Sequence, residues 1–573
     1  MRLRLFASTL LGGVLVVGLP GAFAQTSAPP PAPAAVVVPA AAPAAAAPTN
    51  CNSGPVDPYA NYTCLDKYLG DNPFERLFNY YKLEWGQAGP PNDPTAPPQR
   101  RAGWPDAPET TPPMPFTEWP YGGVTSMGVT RTASADSPLM VAIANTSIGQ
   151  ALNAAGIQIY GWVDGGGNFS SNTIRKPGGN APINYAYIPN TIQLDQAVIY
   201  VDRFPDTVQT DHIDWGMRLS AIYGENYRYT QSYGLGSWQF NGTNQVNGVD
   251  FPMVYGELYI PWVAQGLMIR VGRYISLPDI EAQLAPNNYM YTHSFTYGYD
   301  NYTNEGIQGT LVVNKNIMLQ LGVSAGTEAT IWNYNRTRTN LAQTVMLPDG
   351  STVANPLYTG SKFKVDPGEM PSVTACVRLD WNEGHDNLYP CMDAINSGTY
   401  GYNNLQWYGL TYYHKFNEQW HLSYEFYDLH ENGVPNILGN NPNPAALAAF
   451  QQGGTPFSPQ YLENNPPNGA NCHNPAVVRC NAYAIGTVAY LNYSPDPLDN
   501  FSFRPEMYYD PQGQRTGTAA TYSNFSIGWQ HWLSPQVEMR PEVGYYHSYG
   551  AKAFNDGTKN YTFLFAGDLI WHF

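Results

Sequence analysis

From Ile157 to Phe573 the chain is written in short runs whose apolar residues recur at every second position. That is the period of a β-strand, whose side chains point alternately to two faces. Trp215, Met217, Leu219, Ala221 and Tyr223 share one face, and Asp214, Gly216, Arg218 and Ser220 share the other. Ile317, Leu319, Leu321, Val323 and Ala325 oppose Met318, Gln320, Gly322 and Ser324 in the same way. Near the C-terminus Val537, Met539, Val543 and Tyr545 oppose Glu538, Arg540, Glu542 and Tyr546. A soluble sandwich would also alternate, so composition has to separate the two. Only 13% of residues are charged and 14% are aromatic, with 43 tyrosines and 14 tryptophans. Beyond the N-terminal leader no run reaches the length of about 18 apolar residues that a spanning helix needs. Low charge, abundant tyrosine and strand-length alternation together predict an all-β fold, a transmembrane antiparallel up-and-down barrel whose strands need only about 9–11 residues each.

Sixteen strands are expected, near residues 157, 192, 213, 254, 267, 305, 317, 372, 387, 405, 420, 482, 501, 522, 537 and 561. The connections after even-numbered strands are short: Phe204–Ile213, Pro261–Gly266, Asn314–Asn316, Asn382–His385, Lys415–Gln419, Pro495–Asn500 and Leu533–Gln536. The connections after odd-numbered strands include the long stretches 225–250, 275–303, 327–370 and 431–481. Short inner turns and long outer loops are what a bacterial barrel shows.

A charge facing lipid near the bilayer midplane costs about 2–4 kcal/mol, so strand parity sorts charges inward. Parity places Arg218, Arg270, Arg378, Arg504 and Arg540 in the lumen, with Glu257, Asp380, Glu425, Glu506, Glu538 and Glu542. Two readings of this set stand side by side: opposed walls that make a transverse field, or pairs that tie neighbouring strands together. Tyr508, Tyr509, Tyr545 and Tyr549, near strand ends, fit an interfacial girdle, though core or lumen packing is open to each. The last strand carries Phe563, Phe565, Leu569, Trp571 and Phe573 on one face. The terminal aromatics, Trp571 and Phe573, match the signal that outer-membrane barrels present to their assembly machinery.

The six cysteines form three local pairs, Cys51 with Cys64, Cys376 with Cys391, and Cys472 with Cys480. In an exported chain such a set reads as disulfides. The competing reading, a metal site, lacks CxxC spacing, and His473 has no partner histidine beside it. Cys376 and Cys391 lie symmetrically about the turn Asn382–His385 and share parity with Arg378, Asp380 and Asp393, so they should face each other across a hairpin on its lumen side.

Residues 1–24 read as a signal peptide: Arg2 and Arg4, an apolar core from Leu10 to Gly18, and the small-x-small site Ala22-Phe23-Ala24. Residues 25–50 are an Ala/Pro-rich linker, and 51–156 a mostly irregular N-terminal extension in which Asn72–Phe78 could form one short helix. The extension could sit in the periplasm or tuck into the barrel mouth. The net charge of −16 becomes −18 when the two leader arginines are removed, which disfavours nucleic acid as a partner.

No Walker or HExxH pattern occurs, Gly165-Gly166-Gly167 opens no helix, and the one GxSxG match, Gly322-Val323-Ser324-Ala325-Gly326, lies within the period-two alternation of 317–325 and not at a strand-to-helix turn. No enzyme activity, cofactor or metal is therefore expected. His414, His421 and His430 lie on two neighbouring strands and a loop edge, and are read as lumen or interface residues.

Several stretches resemble the putative β-barrel porin-2 family, of the OmpL-like type. They are Gly161-Trp162-Val163-Asp164, Gln193-Leu194-Asp195-Gln196-Ala197, Asp214-Trp215-Gly216-Met217-Arg218, Ile269-Arg270-Val271-Gly272-Arg273, Ala285-Pro286-Asn287-Asn288 and Tyr291-Thr292-His293-Ser294. The resemblance covers roughly 157–573 and implies an outer-membrane pore, without catalytic residues. The function expected is passive diffusion of small hydrophilic solutes through a water-filled lumen, since sixteen strands leave a channel unless something fills it. The alternative is a structural or adhesive barrel blocked by 275–303, 327–370 or 51–156. Partners expected are outer-membrane lipid, the barrel assembly machinery and the solutes. A homotrimer is compatible with this but leaves no mark in the sequence.

Overall fold

A computed structural model describes residues 68–84, 137–232, 246–275, 279–327, 342–358, 371–382, 385–396, 405–454, 469–496, 498–534 and 536–573. One antiparallel sheet holds eighteen ladder segments and closes on itself. Two of these segments, Gly248–Asp250 and Val537–Met539, are continued by Val254–Ile260 and Glu542–Tyr549. The breaks coincide with Pro252 and Pro541, which have no N–H to give to a ladder. The result is a closed barrel of sixteen strands.

In chain order the strands are β1 (Gln158–Ser170), β2 (Ile192–Arg203), β3 (Asp214–Gly224), β4 (Val254–Ile260), β5 (Leu267–Ile275), β6 (Thr303–Asn314), β7 (Ile317–Thr327) and β8 (Ser372–Trp381). They continue as β9 (Asp386–Ile395), β10 (Gln406–Lys415), β11 (Trp420–Pro435), β12 (Arg479–Asp496), β13 (Asp499–Asp510), β14 (Ala520–Ser534), β15 (Glu542–Tyr549) and β16 (Tyr561–His572). Each pairs with its sequence neighbour. The barrel closes where β1 meets β16, from Trp162 opposite His572 to Ser170 opposite Leu564. The Gly161 N–H donates to Phe573 O and the Phe573 N–H to Gly161 O, at 3.0 and 2.9 Å. With β1 paired to β16 and every other strand paired to both neighbours, the described sheet has no free edge to meet lipid.

The two faces of the wall differ as their parity requires. Trp215, Leu219, Ile307, Leu321, Ile527 and Phe563 are exposed on the outside, where a bilayer would cover them. Arg218, Ser220, Gln308, Gln320, Ser526 and Thr562, on the opposite parity, are buried inside. Tyr509 and Tyr549 are exposed, whereas Tyr508 is fully buried. Tyr508 therefore leaves the predicted girdle: adjacent strand residues cannot share a face, and its ring packs inward 5.9 Å from that of Tyr299.

The extension holds more helix than its composition suggests. The helix expected at Asn72–Phe78 runs from Pro73 to Glu84, and Pro138–Ile143 and Ser147–Ala154 are helical too. Asn72 starts the first helix: its Oδ1 accepts from Glu75 N and its Nδ2 donates back to Glu75 Oε2, both at 2.9 Å. This helix packs on Pro138–Ile143 through Arg76, whose Nε donates to Val141 O at 3.0 Å. It also reaches the barrel rim on the side of the short turns. Tyr81 OH donates to His572 O at 3.1 Å, and Gln536 Nε2 donates to Tyr80 OH at 3.2 Å.

Cys376 and Cys391 are directly opposite in the β8–β9 register and are bonded, with Cα atoms 4.1 Å apart. Cys472 and Cys480 are bonded as well. Cys51 and Cys64, the segments expected to be a leader and a linker, and much of 51–156 lie outside the described residues.

Candidate functional site: the lumen and the segment folded into it

The connection from β5 to β6 does not stay outside the barrel. Every described side chain from Asp279 to Tyr302 is buried, although the stretch contains almost no regular structure beyond the short helix Phe295–Gly298. A loop can be buried only if its backbone polar groups find partners. Here the lumen wall supplies them.

On β2, Gln196 clamps the segment with both ends of its amide. Its Nε2 donates to Gln283 O, and its Oε1 accepts from Ala285 N, each at 3.0 Å. Across the lumen, Glu425 on β11 accepts from Ile280 N at 3.0 Å. Glu506 on β13 accepts from Thr296 N at 2.6 Å, and Glu542 on β15 accepts from Thr292 N at 3.0 Å. Arg504 binds Thr292 through its carbonyl and, at 2.9 Å, its hydroxyl. Arg540 donates to Asn288 O at 3.1 Å and to Ala285 O. Tyr490 OH donates to Glu281 at 2.6 Å, and Tyr289 OH meets His421 Nε2 at 3.0 Å. The segment is thus anchored on both sides of the barrel and crosses the lumen between them.

Small residues on the wall make room for it. A Cβ at Gly528 would stand 2.8 Å from Met290 Cγ, and one at Gly486 would stand 2.9 Å from Thr296 Cγ2. Part of the β1–β2 connection also turns inward: Tyr185 stacks on Tyr229 with ring centroids 4.3 Å apart, and on His293 at 3.6 Å.

The other arginines named from strand parity each lie beside a carboxylate. Arg218 on β3 binds Asp202 on β2 at 3.0 Å. Arg270 on β5 binds Glu257, its register partner on β4, at 2.8 Å. Arg378 binds Asp380 at 2.9 Å. Arg540 binds Asp568 at 3.1 Å through Nε. Glu538 accepts from Gln530 at 2.7 Å and faces His572 at 3.3 Å. Acid and base therefore sit side by side on the same walls, as strand ties and loop anchors, and not on opposed walls. His414, His421 and His430 do not converge. His414 contacts Asp386 at 2.6 Å, His421 faces the lumen, and His430 stacks on Tyr408 at 5.4 Å.

Asp202 and Asp568 were open to the same parity argument as the charges named from sequence. Glu281 and the anchoring role of the carboxylates were not, because 275–303 carries no strand period. Beyond the family-like stretches Ala285–Asn288 and Tyr291–Ser294, its sequence signal is composition, five tyrosines from Tyr289 to Tyr302 in a stretch with few charges.

The family described as Putative beta-barrel porin-2, OmpL-like, matches residues 156–573. Among curated proteins there is no match. Among solved structures the chain is similar to the outer membrane channel DcaP of Acinetobacter baumannii, at 9% identity over 73% of this chain and 98% of that one, with a TM-score of 0.40. It is similar to OmpT of Vibrio cholerae in its trimer form, at 9% identity over 73% and 99%, with a TM-score of 0.38. An anion-selective porin from Comamonas acidovorans is similar at 9% identity over 73% and 99%, with a TM-score of 0.36.

Proposed function

Because the chain belongs to the OmpL-like β-barrel porin-2 family, and is a porin of the bacterial outer membrane, we propose that small hydrophilic solutes cross it passively by a path that the inward-folded 279–302 segment narrows. The observation that carries this is the polar anchoring of that segment. Glu425, Glu506, Glu542, Arg504 and Arg540 hold backbone groups of 279–302, so the same polar wall that would line a channel positions its constriction. In this reading the chain works as a channel and not as an enzyme, and it forms its contacts with lipid, the barrel assembly machinery and any second and third copies through the apolar outer face.

Swelling of liposomes in sugars and amino acids of rising size tests this. Rates that fall steeply with solute size support a narrowed pore. Equal rates for small and large solutes would contradict it.

A second reading is favoured by one specific observation. Lumen-side residues are buried on β6 and β7 as well, including Gln308 and Gln320. A barrel closed in this way would serve as a structural or adhesive element, and would show no swelling with any solute.

A further inference from the structure

The inward segment brings three carboxyl groups together, none of them in a salt bridge among the described residues, although the Arg515 guanidinium donates to the backbone carbonyls of Tyr299 and Asp300 and brings its charge near Asp300. Asp279 lies at its start and Asp300 near its end, and Glu425 projects from β11 to meet them. One oxygen of each lies within 4.8 Å of the others, and all three residues are buried. Some of their oxygens are satisfied. Glu425 Oε2 accepts from Ile280 N at 3.0 Å, and Asp300 Oδ1 accepts from Asn301 N at 2.6 Å. Independently of the clustering, Asp279 Oδ1, Asp300 Oδ2 and Glu425 Oε1 are buried and accept no hydrogen bond from a donor among the described residues.

Unpaired carboxylates buried together cost several kcal/mol each, so either protons or a cation must neutralise them. Two ligands on opposite sides of a calcium ion are about 4.8 Å apart, twice a Ca–O distance of about 2.4 Å. The donors are all oxygens, with no imidazole or thiolate, which selects a hard cation. The irregular backbone around Asp279 and Asp300 suits the tolerant coordination of calcium better than the strict octahedron of magnesium.

The geometry points to a divalent-cation site of the calcium class, formed by Asp279, Asp300 and Glu425, that clamps both ends of the inward segment to β11. The site stands whether or not the barrel conducts, so its failure and that of the permeation reading are separate.

The test uses the full chain, refolded in detergent free of lipopolysaccharide and stripped with a chelator. Terbium is titrated in, with excitation of tyrosine, since Tyr299 and Tyr302 flank Asp300. Saturable terbium luminescence is expected, displaced by calcium, and weakened by about tenfold or more in Asp300→Asn and in Glu425→Gln, because affinity follows ligand charge. Asp349→Asn, in an exposed outer turn, should bind as the parent does. Heat-modifiable mobility on gels restricts the comparison to folded protein. If both variants fail to fold, the parent still decides: calcium must raise its melting temperature after chelation. An absence of saturable binding in the folded parent would show that the carboxyls share protons instead. Unchanged affinity in both variants would place the ion elsewhere. Either result overturns the site.

Discussion

The amide of Thr292 donates to the carboxylate of Glu542 at 3.0 Å, joining the middle of an outer connection to a strand 250 positions away in the chain. The Thr292 hydroxyl contacts the same carboxylate, and Arg504 holds Thr292 from the other side. A hydrogen bond to a charged group contributes about 1.5–3 kcal/mol. Replacing Glu542 by Gln keeps an acceptor but removes the charge. The segment should then leave its docked position more often, by about fivefold for a loss of 1 kcal/mol. Noise analysis of single-channel current would register this as more frequent transitions to a larger conductance. A current trace identical to the parent's would show that this anchor does not hold the segment.

Gly528 gives a steric version of the same experiment. Its missing side chain leaves the space that Met290 occupies. Gly528→Leu should displace Met290 and enlarge the conductance while the barrel still forms, because the strand continues unchanged on its lipid face. A variant that folds with the parent's conductance would mean that the segment adjusts around the new side chain.

The Cys376–Cys391 bridge closes a separation of 15 residues between strands that already pair. Its contribution should therefore lie at the low end of the range of about 0–5 kcal/mol. Peptide mapping without reduction should recover the 376–391 and 472–480 links, and 51–64 in the extension. A peptide joining Cys376 to Cys472 would contradict the register of β8 and β9.

Phe573 packs against β1, where a Cβ at Gly161 would stand 2.8 Å from its ring. Trp571 is exposed on the lipid face two residues earlier. Deleting Phe573, or replacing it by Asp, should lower the amount of heat-modifiable barrel recovered from outer membranes. Undiminished recovery would remove the C-terminal aromatics from the assembly step.

The wall was legible because its physics is local. Period-two alternation, the cost of a charge against lipid, and the sorting of short from long connections each act within a strand or a hairpin, and they gave the strand count and the lumen parity of residues such as Arg218 and Glu542. Tyr508 and Tyr509 show the limit of reading by residue type, since parity alone decides which of two adjacent tyrosines meets lipid. The sequence offered 275–303, 327–370 and 51–156 as candidates to fill the lumen, and the choice among them was not legible for a different reason. The backbone of the 279–302 segment is satisfied by Gln196, Glu425, Glu506 and Glu542, side chains 87 to 250 positions away. No short-range pattern reports such partners. The inward charges were found while their office was missed: residues read as pore lining or strand ties turn out also to hold a folded segment.

Single-channel recording in planar bilayers, comparing the parent chain with one in which residues 280–299 are replaced by a short Gly/Ser linker, addresses the central claim most directly. Small conductance steps are expected for the parent and clearly larger steps for the shortened chain, with both giving the same heat-modifiable folded band. Equal conductance in the two folded proteins would show that the segment does not narrow the path, and an absence of steps in both would show that the barrel has no path to narrow.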